Sequence, residues 1–135
     1  MNIPPVSFGS LMVFTLNDDK PKASVPQLLK ISFQNNPALK NYNFVDTFQK
    51  HEEVVDGTVH NAAQNFAEQL DKEYKLNLPK GSKDVILTEA EFSVNPRETQ
   101  KRYFLTAATN DDEERIHNIL SKSSIYYTAK FRNKR

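Results

Sequence analysis

Two neighbouring stretches differ in hydrophobic period, and that switch constrains the fold more than any other feature. In "TVHNAAQNFAEQLDKEYKL", residues 58–76, Val59, Ala62, Ala63, Phe66, Ala67, Leu70 and Tyr74 recur at helical spacing. Thr58 suits the N-cap, and Pro79 and Gly81 close the segment. In "DVILTEAEFSVNP", residues 84–96, the period drops to two. Ile86, Ala90, Phe92 and Val94 share one face and Glu89 and Glu91 the other, which predicts a half-buried strand. A long helix feeding directly into such a strand predicts an α+β fold.

Further strands are expected at "SLMVFTLN" (10–17), "KRYFLTAAT" (101–109) and "SIYYTAKFRN" (124–133). A second helix is expected at "TNDDEERIHNIL" (109–120), with Ile116, Ile119 and Leu120 inward. The order strand, helix, strand, strand, helix, strand is the βαββαβ pattern of a ferredoxin-like antiparallel sheet with two helices on one face. Within a single domain, 1–135, this leaves an N-terminal arm (1–9), an insert (20–57) and a basic C-terminal tail (130–135). In the insert, "SVPQLLKISFQNNP" fits a strand through Leu29, Ile31 and Phe33. It also fits a helix face through Val25, Leu28, Leu29 and Ser32 with Ser24 as cap; the strand is the expectation. "NYNFVDTFQ" (41–49) reads as a strand with Tyr42, Phe44 and Phe48 on one side, and "HEEVVDG" as a loop.

Four consecutive carboxylates, Asp111 to Glu114, invite a metal-site reading. Consecutive helical residues point in different directions, whereas a hard cation needs six or more convergent oxygens. A helix start explains the run better: Asn110 can cap, Glu113 follows three residues on, and negative charge suits the positive end of the helix dipole. The topology places this run at the same end as "KFRNKR", so charge pairing is expected there. His51, His60 and His117 show no metal-ligand spacing. The chain has no cysteine and three glycines, which removes thiolate chemistry and glycine-rich phosphate loops. No catalytic signature, cofactor motif or metal site is expected.

With 18 basic and 17 acidic residues, the whole chain is not an electrostatic nucleic-acid binder. No apolar run can span a membrane, and the lack of cysteine suits the cytoplasm. The expectation is a small non-catalytic interaction module, partnered by a second copy or by another protein through the sheet face or an edge strand. The apolar and aromatic residues of 20–57 motivate it: they must cover the sheet, extend it or meet a partner. The alternative is single-stranded nucleic-acid binding through an open sheet face and the tail. Candidate contacts for either are Arg97, Lys101, Arg102, Tyr126, Lys130, Arg132, Lys134 and Arg135. Glu89 and Glu91 on that face would repel phosphates.

Overall fold

A computed structural model of the chain describes residues 10–15, 24–47, 51–123 and 126–129. The elements are β1 (Leu11–Thr15), α1 (Val25–Asn35), β2 (Asn43–Asp46), β3 (His51–Val54), α2 (Val59–Glu73), β4 (Asp84–Asn95), β5 (Glu98–Thr106), α3 (Asn110–Ser121) and β6 (Tyr126–Ala129). The fold is α+β, built on one sheet. Its central strands lie in the order β4-β5-β1-β6, each antiparallel to its neighbour.

The sheet as a whole is mixed, which corrects the expected antiparallel one. β2 and β3 both pair with β4 in parallel, one after the other along its outer side. From Asp46 to His51 this edge advances five residues while β4 advances three, from Leu87 to Ala90. The Thr47 hydroxyl donates to the Leu87 carbonyl at 2.9 Å as β2 ends.

The described parts of the expected insert, 24–47 and 51–57, hold a helix and two strands. Residues 25–35, expected as part of a strand, form α1. Ser24 caps it by accepting from the Gln27 N–H, and Pro26 occupies the first turn, where no backbone donor is lost. Val25, Leu29 and Phe33 are buried along one stripe of this helix. "HEEV", expected as a loop, is β3. Phe48 lies outside the described residues.

The ferredoxin-like expectation of both helices on one face does not hold. Leu11, Val13, Val85, Leu87 and Leu105 pack with Leu29 and Phe33 of α1 and Ile116 and Leu120 of α3. Met12, Ala90, Phe92 and Phe104, on the other side of the same strands, pack with Ala63, Phe66, Ala67 and Leu70 of α2. Crossover handedness explains this division. A right-handed β1-α1-β2 crossover runs outward past β4, whereas β3-α2-β4 steps back inward. The same hand then puts the two helices on opposite faces. The expected half-buried strand is covered on both faces: Ala90 and Phe92 are buried as expected, but Val94 is exposed and Val85 and Leu87, on the face of Glu89 and Glu91, are core. Glu89 itself is largely buried.

Candidate functional site

The acidic run at the start of α3 folds into a closed polar cluster. The N-cap is Thr109, one residue before the expected Asn110. Its hydroxyl accepts from the Asp112 N–H at 3.1 Å and donates to Asp112 Oδ2 at 2.9 Å. Glu113 therefore turns inward and is 1% exposed. Lys75, just past α2, donates from Nζ to Glu113 Oε1 at 2.6 Å and to Asn110 Oδ1 at 2.5 Å. The Ala107 N–H donates to Glu113 Oε2 at 3.1 Å, and Asp71 Oδ1 lies 3.4 Å from the Lys75 ammonium. Burial pushes the Glu113 carboxyl up to about 7; Lys75 and the Ala107 N–H hold it down, and the Asp71 charge adds to the rise.

Asp112 ties the opposite side of the same turn to the segment after α1. The Tyr42 hydroxyl donates to Asp112 Oδ1 at 2.9 Å, and the Lys83 ammonium lies 3.7 Å from the same oxygen. Lys83 also sits over the Tyr42 ring, 5.4 Å from its centroid. Burial raises the Tyr42 pKa, helped by the hydrogen bond and charge of Asp112. The two clusters lock α3 to the end of α2 and to the α1–β2 connection. Glu113 is almost wholly buried in this arrangement. Among the described residues, no group of three or more His, Asp and Glu side chains is placed to hold a metal ion.

The expected partner of the acidic run, the tail bearing Lys130, Arg132, Lys134 and Arg135, lies outside the described residues. Lys75 and Lys83 serve instead. The sequence hint for Lys75 was its i,i+4 spacing from Asp71 on α2. Nothing local marks Tyr42 or Lys83.

The remaining candidate contacts do not form one basic patch. Tyr126 begins β6, opposite Thr15 in register. Arg97 is exposed in the β4–β5 turn, where its N–H donates to Asn95 Oδ1 at 2.9 Å. Lys101 stands opposite Glu91, and Arg102 opposite Ala90, on the other face. Arg102 is engaged with the Lys101 carbonyl and Gln100 Oε1, each at 2.8 Å.

What stays open is the outer edge. Among the described residues, β2 and β3 pair only with β4. The Val55 N–H donates to the Ser93 carbonyl at 2.9 Å, so by strand alternation the Val54 amide points away from the sheet. Val54 is 85% exposed, the most exposed large apolar residue described. Beside it a groove of about 160 Å³ runs between β3 and α2, lined by Glu53, Val54 and Asp56 on one side and Asn61, Asn65 and Phe66 on the other. The Phe66 ring is fixed by edge contacts with Phe92 at 6.0 Å and His51 at 5.2 Å.

No helix among the described residues is long and apolar enough to cross a membrane. Comparisons with protein-family models, curated proteins and solved structures found no match.

Proposed function

We propose that this chain is a non-catalytic, cytoplasmic interaction module that takes up an extended, basic segment of another protein along the β3 edge. The observation that carries the reading is the edge at Val54, unpaired among the described residues, lying beside the Phe66 groove. Strand addition supplies affinity through main-chain hydrogen bonds, and pockets for alternate side chains supply specificity. The groove, at about 160 Å³, falls below the roughly 300 Å³ at which small-molecule sites begin, and suits a single side chain. Glu53 and Asp56 at its rim favour a Lys or Arg whose apolar stem lies toward Phe66.

The charges also argue against a second copy as the occupant. A two-fold axis normal to the sheet sets residues of like facing opposite one another in an antiparallel β3–β3 pair. Registers centred on Glu52 or Glu53 bring that residue against its own copy, and one centred on Val54 would set Glu52 opposite Asp56. Like charges directly opposite are destabilising, a common way of guarding an edge strand. Coverage of the sheet by α2 on one side and by α1 and α3 on the other likewise weakens the face-mediated readings, both dimer and nucleic acid.

Selection from a displayed library of random peptides tests the reading. Binders should carry Lys or Arg in an alternating pattern and should lose binding to Val54→Pro, which removes an outward donor without touching the β4 ladder. The Glu53→Lys/Asp56→Lys variant should weaken them at least about tenfold. Absence of binders, or binders indifferent to both variants, would sink the proposal.

A further inference from the structure

A second concavity lies on the opposite face, between α1 and β2. It measures about 390 Å³, within the roughly 300–1,000 Å³ span of small-molecule sites. Lys30 on α1 and Lys40 on the following turn both line it, and among the described residues no carboxylate does. Both lysines are exposed. The nearby Lys83 is differently placed, since Asp112 offsets its charge at 3.7 Å. Gln34 and Asn43 add carboxamides to the lining, with the Asn43 amide already donating to Asp84 at 2.8 Å. The apolar part is aromatic. Phe44 lines the cleft and is only half-buried, with its ring tilted 37° against Phe33 at a centroid distance of 5.1 Å. Phe33 and Tyr42, both buried, complete that wall.

Two ammonium groups beside a fixed aromatic wall ask for a ligand with one anionic end and one flat end. A lone inorganic anion would leave the ring unused, and a neutral ring would leave the lysines unused. We propose that the α1–β2 cleft binds a phosphate-bearing aromatic ring, as a mononucleotide presents, with Lys30 and Lys40 on the phosphate and Phe44 against the base. Lysine holds phosphate as a mobile point charge, so exposed lysines on two adjoining segments suffice. Base–aromatic stacking tolerates any base, so the cleft sets the ligand class and not the base. The site is independent of the β3 edge, and either proposal can fail without the other.

Titration calorimetry with AMP tests this on the full chain, with adenosine and inorganic phosphate as the half-ligands. AMP should bind saturably at one site and at least about tenfold more tightly than either half. Lys30→Ala/Lys40→Ala should weaken AMP about tenfold or more and flatten its salt dependence. Phe44→Ala should weaken AMP but not phosphate, and Lys122→Ala should change nothing. Circular dichroism of each variant separates lost binding from lost folding; Phe44→Leu replaces Phe44→Ala if the latter is unfolded. A short single-stranded RNA distinguishes the source of the chemistry. RNA binding that beats AMP yet needs the same two lysines supports the site with a nucleic-acid end as ligand. Failure of both AMP and RNA to saturate, phosphate binding as well as AMP, or indifference to the double lysine variant would each overturn the proposal.

Discussion

Replacing Lys75 by Met keeps most of the side-chain volume and removes the ammonium that holds the Glu113 cluster together. Three interactions go at once: Glu113 at 2.6 Å, Asn110 at 2.5 Å and Asp71 at 3.4 Å. Removing one partner of a buried pair costs about 3–5 kcal/mol, because the other charge stays buried and uncompensated. Glu113, at 1% exposure, is such a charge. Its escape is to take up a proton, and Lys75 is the main influence opposing that. The loss should therefore depend on pH. Near pH 5 the Glu113 carboxyl, with its pKa at about 7, is already protonated in the parent protein, so the substitution forfeits mainly hydrogen bonds and the Asp71 contact, roughly 1–2 kcal/mol. Near pH 8 the parent holds a charged pair and the full loss of about 3–5 kcal/mol applies. Urea unfolding of parent and variant at the two pH values measures both quantities. A loss that is equal at both, or that stays below about 1 kcal/mol near pH 8, would refute the reasoning.

Three further outcomes follow from the same structure. Glu113→Gln tests the proton itself. A carboxyl raised from 4.5 to about 7 stabilises the fold fully below its unfolded value and loses that contribution as pH climbs to about 7. The parent should thus lose about 3 kcal/mol relative to the Gln variant across that window, read from parallel urea curves. Phe66→Ala removes the ring that meets Phe104 at 5.0 Å and Phe92 at 6.0 Å, and should cost about 3–5 kcal/mol in the same assay. Tyr42→Phe deletes the hydroxyl donated to Asp112 and should cost about 1–2 kcal/mol, with the near-ultraviolet dichroism otherwise retained.

The sequence was legible where one period ran long enough to dominate. α2 begins at its expected cap, Thr58, and buries Ala63, Phe66, Ala67 and Leu70 from the expected stripe. β4 is a strand of twelve residues as its alternation predicts, although Leu87 to Ala90 are buried on both faces. The 25–35 segment failed because an alternating Leu29, Ile31, Phe33 set competes with the helical one. Ile31 is in fact 50% exposed, and the Ser24 cap with Pro26 in the first turn decides for a helix. β3 was lost because "HEEV" has no apolar alternation of its own; it is held by backbone pairing with β4. The two misreadings propagated into the topology: with β3 outside β4, α2 steps back inward and packs on the face opposite α1 and α3. The polar lock was half legible. Four carboxylates did mark a helix start, but Lys75 is 38 residues from Glu113 and Tyr42 is 70 from Asp112, and no local pattern encodes such pairings.

The strand-addition reading turns most directly on the amide of Val54. Hydrogen exchange, followed by NMR on the labelled chain with and without a selected basic peptide, reads that amide. The account predicts that the outward Glu52 and Val54 amides become protected when peptide binds, while the amides of β6 on the far edge do not change. Unchanged exchange at Glu52 and Val54 under saturating peptide, or protection confined to another part of the sheet, would contradict it.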